Sequence, residues 1–468
     1  MKRHKYRLGI PLLGKGATNH LHRMEVVKAF ASRGIPVIFL VREDYLPLLE
    51  RIPGCTYRAV HFKEITGFRQ FLCSISRNIR MRYPFQDRGL RERYRRKHLD
   101  NSILTRIINR LYGFFACFRW MVSFLVVLEQ HIYRKSQTVF GCDAKEIDQL
   151  LLLGIGTLHS ELEGQMTWWG IKEGISVVHI VGNYDNLSSN GYRGVPVNRL
   201  LVWGRNMRKD AMRIHGIPPE RITEIGSIRY NLNSSLLISK KKFLECMGLS
   251  TKRKTLLFAG FLFASQYFEM MTCFQEILNE GLDCQLILRV YPNKQLMNSI
   301  YMEPLLHYAN KFSRVTVSLA DPYFRYGERG RPVLQIEEYE LWNSLAVCDC
   351  VINIFSTISV EACIFDKPVI NMWYFPRPTG NLARQPVYLD YSANFHNRRL
   401  ASYGAIRIAT NRQQLKKMIY EALKNPGKLS EQRHRVVKDE VGQLDGQACD
   451  RLAEICIQEY HRSVKVTR

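Results

Sequence analysis

The chain has 468 residues and a formal net charge of +26 at neutral pH. This length is enough for two domains that each bury a core. The apolar fraction of 46% and the charged fraction of 24% are those of a globular protein and exclude a largely disordered chain. The positive charge indicates the class of partner and not the fold: nucleic acid, an anionic membrane surface or anionic substrates.

The N-terminal segment predicts the opening of a doubly wound α/β domain. An apolar strand over residues 7–13 leads into a glycine loop, an amphipathic helix from Met24 to Ser32 and a second strand from Val37 to Val41. A strand–loop–helix–strand unit of about this length is typical of such domains. The first apolar run is too short for a signal peptide.

The loop from Gly14 to His22 is a candidate acceptor site. It is not a P-loop, because its lysine comes too early and no Gly-Lys-Ser/Thr follows. A neutral histidine suits the deprotonation of a hydroxyl group near neutral pH, so His20 is the predicted catalytic base. Gly16, Thr18 and Asn19 are predicted to bind the acceptor. The alternative is that His20 only packs at the helix start.

Residues 67–135 interrupt this alternation with 15 Lys and Arg against four Asp and Glu. A basic run from Arg88 to His98 leads into an apolar stretch from Ile103 to Leu128, which contains Arg119. Three interpretations stay open for this stretch: a helix buried between domains, a membrane-spanning helix, or a helix in the membrane interface. Each Lys or Arg near an anionic surface contributes about 1 kcal/mol of attraction.

Strands and helices alternate again from about residue 150. The predicted strands are Leu150–Leu153, Val177–Val181 and Leu200–Trp203. The polar loop after the second of these strands contains Asp185, predicted to be catalytic, and Asn186, predicted to bind the acceptor. Asp-Asn is also a good turn sequence by itself.

A loose, Lys-rich stretch over residues 231–250 is the predicted domain linker. In the second domain, the strand Thr255–Ala259 ends at Gly260, and the strand Gln285–Val290 contains Arg289 and is followed by Tyr291. Ligands of open α/β sheets bind beyond the carboxyl ends of the strands. A planar guanidinium suits a diphosphate there, so Gly260, Arg289 and Tyr291 are predicted to bind a donor. The alternative for Arg289 is a surface arginine.

The stretch from Asp349 to Tyr374 predicts a strand, a polar elbow, a helix start and a second strand. Hydroxyl groups and free N–H groups at such an elbow suit an anion. Ser356, Thr357, Ser359 and Glu361 are therefore predicted donor ligands, and so is Glu338 in the preceding helix. The alternatives are an ordinary helix N-cap and first-turn acids.

The 12 cysteines contain no Cys-x-x-Cys pair and are interpreted as reduced thiols of a cytosolic protein. We find no metal-binding motif and expect neither a metal nor another cofactor.

Three stretches carry a family resemblance. VVHIVGNYDNLSSNG with LLVWGRNMRKDAMRIHGIPPERI, LILRVYPN at 286–293, and INIFSTISVEACIFDKPVIN together resemble bacterial glycosyltransferases of the GT-B fold that act in surface polysaccharide assembly. The tail DGQACDRLAEI is similar to the closing helix of that group. Tyr291 stands where the group has a histidine, and residues 67–135 fall outside the resemblance.

The resemblance implies an α/β fold of two Rossmann-like doubly wound domains facing a cleft. Residues 1–230 would form the acceptor domain, 250–440 the nucleotide-sugar domain, and 441–468 a closing helix and tail. It also implies catalysis without a metal, with Arg289, Ser356, Thr357 and Glu361 holding the donor.

The resulting prediction is a membrane-associated glycosyltransferase at the cytoplasmic face of the inner membrane. Its partners would be a nucleotide sugar, a lipid-linked or oligosaccharide acceptor and an anionic membrane surface, with no nucleic acid. The same elbow also resembles the CDP-glycerol glycerophosphotransferases of teichoic acid synthesis, which makes a CDP-polyol phosphotransferase the second hypothesis. A basic nucleic-acid or membrane binder without catalysis is the third.

Overall fold

A computed structural model describes residues 6–14, 20–80, 82, 102–136, 138–154, 160–189, 198–230, 237–260, 264–291, 302–319, 333–374 and 394–466. The chain divides into two compact units. The first contains residues 1–232, 393–396 and 439–468, and the second contains residues 233–392 and 397–438. The second unit thus begins inside the stretch predicted as a linker.

The first unit is built on an eight-stranded sheet in the order β4-β3-β2-β1-β5-β6-β7-β8. All neighbouring strands are parallel except β3 and β4, which are antiparallel. The central strands are buried over their whole length and read as continuous apolar runs, as parallel strands covered on both faces do. The strands are β1 Leu8–Leu12, β2 Val37–Arg42, β3 Thr56–Phe62, β4 Val139–Phe140, β5 Gln149–Leu153, β6 Ser176–Ile180, β7 Arg199–Val202 and β8 Ile222–Glu224.

Helices cover both faces of this sheet, and the last helix of the chain returns to it. The C-terminal helix begins at Ala448, within the segment predicted as a closing helix and tail, and buries Leu452 and Cys456 in the same core as Ile10 and Phe30. The helices of this unit are α1 Met24–Ala31, α2 Gly67–Arg80, α3 Ile103–Phe115, α4 Arg119–Arg134, α5 Ser160–Lys172, α6 Asn186–Ser189, α7 Arg205–His215 and, at the end of the chain, α16 Ala448–Val466.

The apolar stretch from Ile103 to Leu128 is not one helix. It forms α3 and the first part of α4, which meet at an angle of 103°. Within the described residues, no single helix has the length and hydropathy needed to cross a bilayer, and only this bent pair meets that test jointly. None of the side chains of α3 is buried, whereas α4 buries Val122 and Leu125, so the interpretation of this stretch as a buried helix fails for α3 and holds for one face of α4.

The second unit is built on a six-stranded, entirely parallel sheet in the order β11-β10-β9-β12-β13-β14. Counted within the unit, the order is 3-2-1-4-5-6, that of dinucleotide-binding doubly wound domains. The sequence analysis did not predict β14. The strands are β9 Lys254–Ala259, β10 Cys284–Val290, β11 Val315–Leu319, β12 Cys350–Asn353, β13 Val369–Met372 and β14 Ile406–Ala409.

One face of this sheet packs on a single apolar core that includes Phe258, Leu288, Ile352 and Phe274. The opposite face is covered near β9, β12 and β13 by two helices that contact these strands. The helices of the unit are α8 Lys240–Cys246, α9 Ala264–Asn279, α10 Met302–Asn310, α11 Val333–Val347, α12 Ile358–Ile364, α13 Phe395–Ser402, α14 Arg412–Lys424 and α15 Ser430–Val436. The predicted α/β class with two doubly wound sheets is confirmed.

Candidate functional site

The strand order of the second unit locates a binding crevice. The order reverses between β9 and β12, and open α/β sheets bind ligands beyond the carboxyl ends of the strands at this reversal. Gly260 directly follows β9, while Ser356 and Thr357 lie three and four residues beyond β12. The fold therefore brings predicted donor residues from distant parts of the sequence to one edge.

Polar side chains cross this edge in a single row. Arg289 pairs in register with Ser318 on one side and with Ala259 on the other, Ala259 pairs with Asn353, and Asn353 pairs with Asn371. Residues in register on parallel strands point to the same face of the sheet. This face is the one covered by α11 and α12, and Asn353 and Asn371 lie under the first turn of α12, where Ser359 bonds to both.

A buried hydrogen-bond network holds the elbow. The Asn353 amide donates to the Ser359 hydroxyl at 3.0 Å, and Ser359 Oγ lies 3.3 Å from Asn371 Oδ1. Asn371 Oδ1 also accepts from the backbone N–H of Phe355 at 3.3 Å. Ser359 is fully buried, so the geometry gives this predicted donor ligand a positioning role.

The sequence contained an unused signal for this network. Val351-Ile352-Asn353 and Val369-Ile370-Asn371 are the same tripeptide, and the two copies pair residue for residue across β12 and β13. Two asparagines that end adjacent buried strands could have been recognised as partners.

The elbow itself has an unusual backbone and two uncommitted hydroxyl groups. Phe355 has a φ of +37°, a conformation that costs a non-glycine residue roughly 1–3 kcal/mol and is typical of functional turns. The Ser356 hydroxyl is buried and has no hydrogen-bond partner among the described residues. Thr357 takes the N-cap position of α12, but its side chain makes no capping hydrogen bond. The alternative of an ordinary N-cap therefore does not account for these hydroxyl groups.

Arg289 is 5% exposed, so the alternative of a surface arginine is wrong. Its Nη1 donates to the Ser318 hydroxyl at 3.2 Å, and that hydroxyl donates in turn to Glu340 Oε1. Glu340, on α11, is also buried and was not singled out by the sequence analysis. These hydrogen bonds connect Arg289 through Ser318 to Glu340, so part of the positive charge of Arg289 is balanced within the protein.

Packing against a neighbouring side chain explains why residue 260 is a glycine. A Cβ at this position would lie 2.5 Å from the ring of Tyr267, so the aromatic ring takes the space that the sequence analysis assigned to a ligand. The Tyr267 hydroxyl accepts from the backbone N–H of Tyr291 at 2.9 Å. Tyr291 is 40% exposed and lies just beyond β10, where its ring is accessible to a ligand.

The structure gives less support to the two acidic residues that were predicted to bind the donor, Glu361 and Glu338. Glu361 is 1% exposed in the first turn of α12, so its carboxylate is not accessible to a ribose in this conformation. Glu338 lies on α11, and its side chain is outside the described residues. Their donor roles stay predictions.

The first unit has its own reversal of strand order, between β1 and β5. His20 follows β1, and its imidazole lies against Gly182 at the end of β6: a Cβ on Gly182 would be 3.2 Å from His20 Nε2. Burial, together with the positive charges of Arg229 and Arg23, holds the pKa of His20 well below its usual value. Arg229, which follows β8, was missed by the sequence analysis.

The loop after β6 is a tight turn. The Asn186 side chain accepts from the backbone N–H of Asn183 at 2.8 Å, which favours a structural role for this predicted acceptor ligand. The Asp185 carbonyl accepts the N–H groups of Ser188 and Ser189, and the Asp185 side chain is half-buried. Ser188 Oγ lies 3.3 Å from Nδ1 of His396, a buried histidine that the sequence analysis did not consider.

The predicted acceptor residues Gly16, Thr18 and Asn19 lie outside the described residues, so their roles stay predictions. Within the described part of the chain, no three or more His, Cys, Asp or Glu residues are grouped so that they could hold a metal ion.

Comparisons with known proteins give the class of fold. No family model matches the sequence, and the search of curated proteins finds no match. A putative UDP-N-acetylglucosamine 2-epimerase from Listeria monocytogenes aligns over 98% of this chain and 97% of its own, with a TM-score of 0.51 and 11% identity. A UDP complex of MnaA from S. aureus aligns over 98% and 97%, with a TM-score of 0.50 and 10% identity.

The wall teichoic acid polymerase TagF also aligns, over 98% of this chain and 90% of its own, at a TM-score of 0.49 and 11% identity. The fold assignment rests on the Listeria monocytogenes and MnaA structures. The chain has the two-domain GT-B fold, as the resemblance implied. Identities of 10–11% show the fold alone.

Proposed function

We propose that this protein is a glycosyltransferase that moves a sugar from a nucleotide-sugar donor to a hydroxyl group of a lipid-linked or oligosaccharide acceptor in surface glycan synthesis. The observation that carries the proposal is the elbow at the strand-order reversal of the second unit. There, two hydroxyl groups that make no capping bond lie beside a buried row of polar side chains.

In the proposed donor complex, the diphosphate lies at the elbow and accepts hydrogen bonds from Ser356 and Thr357. Arg289 contributes positive charge from beneath, where its bond to Ser318 limits its movement. Hydrogen bonds to charged groups contribute about 1.5–3 kcal/mol each, so these groups would also favour departure of the nucleotide diphosphate. We expect no metal to be needed. UDP is the first nucleotide to test, because the MnaA structure of the same fold contains it.

On the acceptor side, the incoming hydroxyl group attacks the anomeric carbon and loses its proton to His20, with Asp185 as a second candidate. A histidine whose pKa is far below neutral is a weak base, so the base role requires a change on substrate binding. Any anionic group that binds near Arg23 and Arg229 would offset their charges and raise the pKa of His20 from its lowered value.

Donor binding is tested by thermal unfolding with UDP, GDP, CDP, CMP and dTDP, with and without magnesium. A ligand at 100 times its Kd stabilises the folded state by about 2.7 kcal/mol. We expect one nucleoside diphosphate to stabilise the protein without magnesium. We also expect Ser356→Ala/Thr357→Val to weaken its binding about 10- to 100-fold without lowering Tm. Among the described residues, the Ser356 hydroxyl has no hydrogen-bond partner and the Thr357 hydroxyl makes no capping bond.

The matched control is Ser402→Ala/Thr272→Val. These two hydroxyl groups of the same unit donate to carbonyl groups of their own helices, at 2.7 and 3.0 Å. If the control weakens nucleotide binding as much as the elbow variant does, or if no nucleotide binds, the donor site is not at the elbow.

The base is tested with His20→Gln against His22→Gln. His22 lies two residues away, also has a lowered pKa, about 4, and is bonded to the Tyr57 hydroxyl at 2.8 Å. We expect His20→Gln to lower kcat about 100-fold with unchanged nucleotide affinity. Equal losses of kcat in both variants would remove His20 from the mechanism.

A second candidate is 2-epimerisation of a UDP-sugar. One of the two structures that define the fold is described as a putative UDP-N-acetylglucosamine 2-epimerase, and the other is a UDP complex. Incubation with UDP-N-acetylglucosamine in the absence of any acceptor separates the two. Appearance of the 2-epimer by proton NMR would replace the transferase proposal. Stabilisation by CDP alone would favour a CDP-polyol phosphotransferase instead.

A further inference from the structure

The exposed apolar side chains of this protein are concentrated in one short stretch. Of the 17 large apolar side chains that are exposed in the described residues, ten lie between Ile103 and Val127. Scattered exposed apolar residues are normal, but a concentrated group marks an interaction surface. We call the outward face of this stretch the α3–α4 surface.

The exposed residues follow the helical repeat on both helices. On α4, Trp120, Phe124 and Val127 are 60–66% exposed and lie on one face, while Val122 and Leu125 on the other face are buried. On α3 the exposed set has the same kind of spacing: Ile103, Leu104, Ile107, Ile108, Leu111 and Phe114. Both helices therefore turn an apolar face outwards, and α4 also has an apolar face that is buried.

The inward contacts of α3 are partly polar, the reverse of a helix that packs on a core. Arg82 donates to the side chain of Asn109, and its guanidinium lies 5.3 Å from the ring centroid of Tyr112. A surface helix of a globular domain normally buries its apolar face. On α3 the apolar face is exposed instead.

Aromatic rings connect the two helices into one surface at the bend. The ring centroids of Phe114 and Phe118 are 5.2 Å apart, and those of Phe118 and Trp120 are 6.4 Å apart. Tryptophan and phenylalanine are the side chains that enter the boundary between lipid headgroups and acyl chains.

The charges on this stretch have one sign. Residues 102–136 contain Arg106, Arg110, Arg119, Arg134 and Lys135, all exposed, against the single acid Glu129. That acid is already paired with Arg80 of α2. Long basic side chains beside an apolar face suit phosphate headgroups, because their stems cover apolar surface while their charges reach the lipid phosphates.

We propose that the α3–α4 surface lies in the interface of an anionic lipid bilayer and holds the protein there without a spanning helix. The bend of 103° and the limited length of each helix fit two segments that enter the headgroup region side on. A second copy of this chain is disfavoured as the occupant, because it would place two surfaces of like charge against each other. This proposal stands or falls independently of the proposed function.

The test is co-sedimentation of the full chain with vesicles of phosphatidylcholine and phosphatidylglycerol at 3:1, and with vesicles of phosphatidylcholine alone. We expect binding at least 10-fold tighter to the anionic vesicles. Phe114→Ser/Trp120→Ser/Phe124→Ser should weaken that binding at least 10-fold, and Arg106→Gln/Arg110→Gln/Arg119→Gln should remove the preference for anionic lipid.

The control is Phe140→Ser/Met212→Ser/Leu444→Ser, which changes three apolar residues of the same unit that are 37–41% exposed outside this surface. It should bind as the unchanged protein does. Equal weakening in this control and in Phe114→Ser/Trp120→Ser/Phe124→Ser, or no vesicle binding by the unchanged protein, would overturn the proposal. The proposal would also be overturned if light scattering showed a dimer that Phe114→Ser/Trp120→Ser/Phe124→Ser converts to a monomer, because the α3–α4 surface would then join two copies.

Trp120→Phe tests the proposal with a single conservative substitution, in case the triple variants do not fold. Brominated lipids quench tryptophan fluorescence at bilayer depth, and Trp120→Phe keeps the aromatic surface. We expect vesicles with brominated lipid to quench the unchanged protein clearly more than Trp120→Phe. Identical fractional quenching of the two proteins would show that Trp120 does not enter the bilayer and would contradict the proposal.

Discussion

The two sheets end in different ways at their carboxyl edges. In the second unit, the positions that pair across the edge include Ser318, Arg289, Asn353 and Asn371, whose side chains are buried and hydrogen-bonded. In the first unit, β1, β5, β6, β7 and β8 are each followed within two residues by a glycine.

The glycines of the first unit make room for other groups. A Cβ on Gly154 would lie 2.2 Å from the ring of His179, and one on Gly226 would lie 2.6 Å from the carbonyl oxygen of Gln443. One edge is therefore organised by side-chain hydrogen bonds and the other by close approach to the backbone. A rigid polar edge suits the binding of a group that does not vary between ligands, such as a diphosphate. We expect ligand binding at the glycine-lined edge to depend more on the shape of its loops.

The contrast predicts that the second unit is most sensitive to loss of a buried charge. Arg289→Met should lower the free energy of unfolding by about 2–4 kcal/mol, because Ser318 and Glu340 lose a charged partner in a buried site. Chemical denaturation measures this. The control Arg253→Met removes an exposed ion pair to Asp283 at 3.1 Å and should cost under about 1 kcal/mol. Similar losses in both variants would show that the row does not act as a buried network.

The first unit should instead be sensitive to acid, through the histidines packed against its glycines. Burial lowers the pKa of His179 to about 4, and its Nε2 lies 3.0 Å from Thr167 Oγ1. Below the usual histidine pKa of about 6.5, the unfolded chain takes up a proton that folded His179 does not, so stability is complete above that pH and falls as the pH drops towards 4. At pH 5 the loss from His179 is about 2 kcal/mol.

Denaturation at pH 7 and pH 5 measures this slope. His179→Gln should be less stable at pH 7 but should lose about 2 kcal/mol less between the two pH values. The exposed His434 is the matched position, and His434→Gln should leave the fall unchanged. A His179→Gln slope equal to that of the unchanged protein would mean that His179 titrates normally.

The smallest effect concerns a single hydroxyl group of the elbow. Ser359→Ala should lower stability by about 1–3 kcal/mol, because the amides of Asn353 and Asn371 lose a buried partner. Ser344→Ala removes an equally buried hydroxyl that donates only to the Glu340 carbonyl of its own helix, at 2.7 Å, and should cost at most about 1 kcal/mol. Nucleotide affinity should fall in Ser359→Ala alone, and a fall in both variants would argue against a specific role in the elbow.

Much of the strand framework could be predicted because buried parallel strands leave short apolar runs. The strands whose bounds were predicted agree with the structure within one or two residues, as does Val37–Val41, which is β2 Val37–Arg42. The end of a strand is obscured where apolar residues belong to a turn. Ile354 and Phe355 continue the apolar run of β12 beyond its end at Asn353, and Phe355 adopts a left-handed conformation in the elbow. The interpretation of Ile103 to Leu128 as one helix was wrong for the same reason, because its apolar residues continue across the bend between α3 and α4.

The amino-acid sequence by itself determined the class of fold, the elbow with Ser356 and Thr357, and the basic, apolar character of residues 67–135. Each of these features is encoded by residues close to one another in the chain, so it can be recognised from the periodicity of apolar residues and from the residue types that favour turns. Only the tertiary structure decided that Arg289 is buried on Ser318, that Asn353 meets Asn371, that Arg229 lies near His20, and that the apolar faces of α3 and α4 point outwards. These features depend on strand register and on which face of an element is covered, and both are set by contacts between distant segments.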